Sequence, residues 1–343
     1  MKTIYSCENV GKDTRSVYIV GKIKAREALL FDAATYEKMI GIRTARELID
    51  FALNTKAYQA KAARVKSPHD IDTFVRGALQ ELRTLCRDFL SGNELLFLLF
   101  LKYDAHNLKV VFKEEVLKRD LSHLYLECGN VNVHSLKAAA KGPSRDAHIA
   151  RLAQKTRSCY AKTHSLLAYA LCMDKEVLET LYTEFSARHL DFLRDYARMY
   201  IDYYNTMLFL RRAPLFKNDA TLARVLTDVV AEGGFIEKAF FMRACAQDDI
   251  EGVKKKLLRH YPGLIADVRH CDHASGSLWK VEIDFLRYLI TYIAQTRYLS
   301  FGFEPIFGFG VLQEQELNNI RFLVTAKQNA LDENTIRERL VYA

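Results

Sequence analysis

Three segments of this 343-residue chain place a carboxylate and an asparagine three residues apart inside apolar, helix-patterned sequence. In Leu95 to Lys113, Asp104, Asn107 and Lys109 interrupt a run of leucine, phenylalanine and valine. In Tyr200 to Arg211 the pair is Asp202 and Asn205, and in EQELNNIRFLV it is Glu316 and Asn319, followed by Arg321. Helical positions three apart share a face, so each pair can reach one neighbouring segment. Buried polar atoms left unpaired cost about 1–3 kcal/mol each, so such pairs dictate the register of whatever packs against them. The second copy lacks the basic residue, because Met207 stands where Lys109 and Arg321 stand in the others. Recurrence at intervals of roughly a hundred residues points to a triplicated helical unit. A single active site does not need three sets of the same parts. The repeated acids and asparagines therefore read as interhelical hydrogen-bonding groups, with no catalytic residue among them.

The surrounding sequence reads as all-α, since no run of period-two alternation is bounded by turn signals. A helix is expected over Tyr18 to Leu30, with Ile19, Ile23 and Arg26 on one side; Asp32 caps the next, and Thr44 or Arg43 opens another. Ser67-Pro68 starts a long amphipathic helix through Ile71, Phe74, Val75, Ala78, Leu82, Leu85 and Phe89, which stops at Ser91-Gly92-Asn93. Cys128-Gly129-Asn130 and Glu232-Gly233-Gly234 read as helix stops after the first two copies. From Leu178 to Met207 a longer helical region carries a continuous aromatic stripe, read as core packing. Pro214 ends this region, and a further helix is expected from Asn218-Asp219 to Glu232. Glycine and phenylalanine alternate from Phe301 to Gly310, which argues against regular helix throughout and for close helix packing. Asp332 caps the last helix. With Gly142-Pro143 as the clearest break, the units are expected at residues 1–141, 142–217 and 218–343.

Composition narrows the chemistry. The formal charge is +8 with a sequence pI near 9.0, which suits nucleic acid, anionic headgroups or acidic protein surfaces. The densest basic cluster, Lys254-Lys255-Lys256 with Arg259, reads as a solvated helix face. The seven cysteines show no paired spacing and read as reduced thiols in a cytosolic compartment. The N-terminus has no leader-like apolar core, and Leu95 to Leu101 is far short of the ~20 residues that span a bilayer, so membrane association would be peripheral. Gly21-Lys22 is followed by Ile23 and is no phosphate loop, and Gly308-Phe309-Gly310 lacks the third glycine of a dinucleotide site. His270-Cys271-Asp272-His273 has metal-ligating side chains but reads as a flexible loop. No metal and no cofactor are expected.

Several segments in order resemble one family. They are Tyr18-Ile19 through Arg26 with Tyr36-Glu37, Tyr103-Asp104 with Asn107-Leu108-Lys109, Glu304-Pro305-Ile306-Phe307, Glu316 through Arg321 with Lys327, and Ile336-Arg337-Glu338-Arg339-Leu340. Together they look like the C subunit of prokaryotic V/A-type rotary ATPases, the counterpart of the d subunit of the eukaryotic vacuolar pump. The resemblance implies three similar helical units arranged as a funnel, and a non-catalytic role in coupling ATP hydrolysis or synthesis to proton or sodium ion transport. The implied partners are the central-stalk subunits and the membrane proteolipid ring, at the cytoplasmic face of the membrane. Candidate contact residues are Phe301, Phe303, Phe307, Phe309, Arg337 and Arg339. The competing readings are a basic helical module that binds nucleic acid, whose affinity would fall steeply with salt, and a metal-dependent hydrolase centred on residues 270–273. No helix-turn-helix or zinc-finger pattern supports the former.

Overall fold

The computed structural model describes residues 14–59, 70–90, 95–141, 146–216, 226–264 and 278–342. Among them every regular element is helical, as expected: α1 (Thr14–Glu27), α2 (Ala33–Gly41), α3 (Ala45–Leu53), α4 (Ile71–Leu90), α5 (Leu95–Leu117), α6 (Val133–Lys141), α7 (Ala147–Thr163) and α8 (Leu166–Ala187). They continue with α9 (Asp191–Phe216), α10 (Leu226–Val229), α11 (Lys238–Gln247), α12 (Ile250–His260), α13 (Leu278–Ile293), α14 (Glu304–Gln328) and α15 (Glu333–Arg339). Contacts divide the chain into two compact units, one of Met1–Ser91 with Ile290–Ala343 and the other of Gly92–Leu289. The expected breaks at 142 and 218, the Ser67-Pro68 start and the His270–His273 loop lie outside the described residues.

The caps form as the sequence suggests. Asp32 Oδ1 accepts from Thr35 N at 2.8 Å, Thr44 Oγ1 from Glu47 N at 3.2 Å and Asp332 Oδ1 from Thr335 N at 2.9 Å. In the first unit α14 packs on α1, α3 and α4, whose Ile23, Leu48, Phe74 and Ala78 are buried. In the second, α5 lays Leu101, Leu108 and Phe112 against α7 and α8, with the Phe112 and Tyr169 rings stacked at 4.0 Å. α9 runs beside α8, and its Tyr203 ring meets Phe285 of α13 at 5.5 Å.

Some expectations need correction. The Leu178–Met207 region is two helices, because His189 takes a left-handed conformation (φ 55°) and Leu190 N donates to Phe185 O at 3.0 Å, closing α8. α9 continues past Pro214 to Phe216. The Phe301–Gly310 stretch is not helix throughout, as expected, since residues 301–303 lie outside helix, but from 304 on it is helical: Pro305 occupies the first turn of α14, and Gly308 and Gly310 lie within it. At Gly308 a Cβ would sit 2.0 Å from Thr296 Oγ1, so the glycine admits the 3-10 turn 294–298 against the helix. Cys159 and Cys172 are paired as a disulfide between α7 and α8, where seven reduced thiols were expected.

One order recurs along the chain. Helix lengths rise toward each helix that bears an acid–asparagine pair: 9, 9, 20 and 23 residues over α2–α5, 9, 17, 22 and 26 over α6–α9, and 10, 11, 16 and 25 over α11–α14.

Candidate functional site

The asparagine of each pair binds the main-chain N–H and C=O of one residue. Asn107 Nδ2 donates to Leu126 O at 2.7 Å, and Leu126 N donates back to Asn107 Oδ1 at 2.9 Å. Asn205 does the same with Ala231, at 3.0 and 2.9 Å. Asn319 Nδ2 donates to Val341 O at 2.7 Å, and Val341 N returns a longer bond of 3.5 Å. In all three copies the carboxamide satisfies both the N–H and the C=O of one residue that lies outside regular structure.

The acid secures a second point. Asp104 accepts from Val131 N at 3.0 Å and Asn130 Nδ2 at 2.6 Å. Asp202 accepts from Phe235 N at 3.0 Å, Ile236 N at 3.1 Å and Tyr261 Oη at 2.5 Å. Glu316 accepts from Phe31 N and, at 2.6 Å, from Tyr58 Oη. In the first two copies a glycine lies two residues before a backbone donor. A Cβ on Gly129 would come within 2.4 Å of Asp104 Oδ1, and one on Gly234 within 2.1 Å of Asp202 Oδ1. In the third copy Leu29 takes the corresponding place before Phe31, and the acid is the longer glutamate. The additional methylene supplies the reach that close backbone approach supplies elsewhere.

All six polar residues are buried, none more than 3% exposed. Burial pushes the carboxyl groups of Asp104 and Asp202 up to about 6, against the lowering effect of their hydrogen bonds. The Tyr58 and Tyr261 phenols are raised by burial and by the adjacent carboxylates, which keeps them protonated as donors. These acids are occupied in holding loops. The arrangement fastens an irregular segment to a helix and fixes its register.

The basic residues reach outward from the same helices. Lys109 Nζ pairs with Asp174 of α8 at 2.7 Å, and Arg321 Nε with Asp72 of α4 at 2.9 Å, while Met207 is buried. Of the candidate contact residues, Phe301 is 45% exposed, whereas Phe303, Phe307 and Phe309 belong to the core. Arg337 pairs with Glu37 at 3.0 Å, joining α15 to α2, and Arg339 is exposed. Sequence reasoning found the acids and asparagines but missed Phe31, Tyr58, Tyr261 and Val341, which lie far from them along the chain. Gly129 and Gly234 were the one available signal, read there only as helix stops. Among the described residues no group of three or more His, Cys, Asp or Glu is placed to hold a metal ion, and no helix is long and apolar enough to cross a membrane.

The three clamps are spread over nearly the whole chain, and so is its match to known proteins. A family model described as ATP synthase (C/AC39) subunit matches residues 19–339. The chain belongs to this family. Among C/AC39 relatives, the C subunit of the A-type ATP synthase of Methanocaldococcus jannaschii is 23% identical, with 94% of this chain and 86% of the relative covered. The C subunit of the V-type sodium ATPase of Enterococcus hirae is also 23% identical, with 93% and 95% covered. The C/AC39 match takes in all three acid–asparagine pairs together with Phe31 and Tyr58. The resemblance seen in the sequence is thus to the right family, and the chain is a rotary ATPase subunit of the V/A type.

Proposed function

We propose that the chain is a rigid, non-catalytic adaptor that joins the central stalk of a V/A-type ATPase to the proteolipid ring at the cytoplasmic face of the membrane. Three helical units of one plan form a funnel. Two of them span residues 95–187 and 191–293. The third joins residues 304–342 to 31–90, because Glu316 binds Phe31 and Tyr58 rather than a segment following α14. This differs from the division at 142 and 218, and the recurring helix order supports it.

The observation that carries the reading is that all three buried acid–asparagine pairs are spent on fastening loops to long helices. A part that transmits torque between surfaces of unlike shape must resist deformation. Close-packed helices whose irregular segments are bonded at two points supply that stiffness. Bond making and ion translocation then belong to other subunits.

The test is reconstitution. The purified chain is expected to co-elute with the central-stalk subunits. Complexes assembled without it should still hydrolyse ATP but fail to move ions into vesicles. Ion transport at full rate in its absence, or ATP hydrolysis by the isolated chain, would end the proposal.

A further inference from the structure

The last turn of α5 and the turn between α7 and α8 stand at one end of the second unit. The Phe112 ring meets Tyr160 at 4.9 Å and Tyr169 at 4.0 Å, one on each side of the α7–α8 turn, and Lys109, earlier on α5, pairs with Asp174, further from that turn. α5 therefore runs toward the turn and ends beside it at Leu117. There Lys118 takes a left-handed conformation (φ 53°) and the chain doubles back, with Leu121 N and Tyr125 Oη both donating to Glu114. Leu117, Leu124 and Leu167, at 47, 38 and 37%, are the only exposed leucines among the described residues, and all three lie at this end.

Cations surround them. Lys113, one turn before Leu117 on the same face, is exposed, as are Lys118 and Arg119, and none of the three is in an ion pair among the described residues. The acids close by are engaged: Glu114 pairs with Lys137, Glu115 with Arg157 and Asp228 with Lys162, while Asp120 accepts from Ser122 N at 2.9 Å. Those pairs cancel, which leaves the three exposed cations against Asp120. Glu127 is set back with Leu126, which Asn107 holds about 15 Å down α5 from Leu117.

We propose that this end of the second unit seats on anionic phospholipid headgroups, with its exposed leucines reaching past them toward the acyl chains. The proposal deepens the adaptor reading, which brings the chain to a membrane face, and rests on it. Leucine is under-represented at protein–protein hot spots and lysine is depleted from such interfaces, whereas exposed leucines flanked by lysine and arginine make up segments that lie in the headgroup layer. The stems of the basic residues cover apolar surface while their charged ends meet phosphate oxygens. Val116 and Leu166, each next to an exposed leucine, pack against the core with Phe112 and Tyr169, so the surface is shaped before it meets a bilayer.

The test mixes the full-length chain with vesicles of phosphatidylcholine alone and of phosphatidylcholine with phosphatidylglycerol, and measures binding by co-sedimentation. The wild type should prefer the anionic vesicles at least tenfold, and added salt should weaken that preference. Lys118→Asn with Arg119→Gln removes two cations at roughly fivefold each, so affinity should fall at least tenfold; asparagine suits the left-handed backbone at 118. Leu117→Ser with Leu167→Ser should lower affinity by roughly fivefold or more with an unchanged circular dichroism spectrum. Lys255→Gln with Arg259→Gln, two exposed residues of α12, changes net charge as much as the first pair and should bind within twofold of the wild type. Equal binding to both kinds of vesicle would overturn the proposal, as would tip variants within twofold of the wild type. An equal loss from the α12 pair would also overturn it, because it would mark a response to net charge alone. If the wild type ignores both vesicles and the tip variants lose affinity for the detergent-solubilised proteolipid ring, the surface belongs to an acidic protein partner and the lipid proposal falls. Normal binding of stalk and ring without vesicle binding sinks this proposal alone, whereas binding of anionic vesicles but of neither stalk nor ring sinks the adaptor reading.

Discussion

Asp104 and Asp202 are held by donors on every side yet remain harder to ionise than free aspartates, because burial outweighs the hydrogen bonds. With folded values near 6 against 3.8, the stabilisation tied to the protonated carboxyl is complete below about pH 3.8 and lost as pH rises through about 6. The stability difference between wild type and Asp202→Asn, from urea unfolding, should therefore shrink between pH 4 and pH 7 by about 1–3 kcal/mol. A pH-independent difference would show that the hydrogen bonds win. At this scale much was legible in the sequence. A carboxylate and a carboxamide on one face of an apolar helix must be met by something, whatever the fold. Which peptides meet them was not legible, since backbone N–H and C=O groups carry no sequence label. The exception is the glycine before the donor, which marks where a Cβ would collide with the acid.

Helix interiors followed from periodicity, and several ends did not. Lys118, His164, His189, Asp248 and Ala330 all adopt positive φ just beyond a helix, the place where glycine is the usual signal. His189 shows the effect most plainly: with no glycine at the break, α8 and α9 read as one region. Gly308, by contrast, sits inside α14 and serves the close packing that its sequence suggested, against Thr296. Ala330 offers a clean measurement. It is exposed, it has a φ of 51°, and Leu331 N donates across it to Ala326 O at 3.0 Å. Ala330→Gly should raise the unfolding free energy by about 0.5–1 kcal/mol, since glycine adopts this conformation without the steric cost of a Cβ. A loss of stability in chemical denaturation would mean that the left-handed turn is absent in solution.

For the molecule as a whole, the third acid–asparagine pair departs from the other two in where its partners come from. Asn319 holds Val341 from the C-terminal side, and Glu316 holds Phe31 and Tyr58 from the N-terminal side. Glu316→Ala should therefore speed amide exchange around residues 31–36 and 54–59 while leaving residues 126–131 as protected as in the wild type, read by hydrogen–deuterium exchange with mass spectrometry. Equal loosening at both places would deny the separate clamps. The all-α class and the three acid–asparagine pairs were readable from local pattern, but this long-range closure was not, because nothing in the sequence near Phe31 points to α14. It also sets a timetable for synthesis. Phe31 leaves the ribosome 285 residues ahead of Glu316. At roughly 5–20 residues per second it waits on the order of 15–60 s for its acceptor. Of the three clamps this one therefore leaves its backbone donor waiting longest on the ribosome, open to chaperones and proteases until α14 is made.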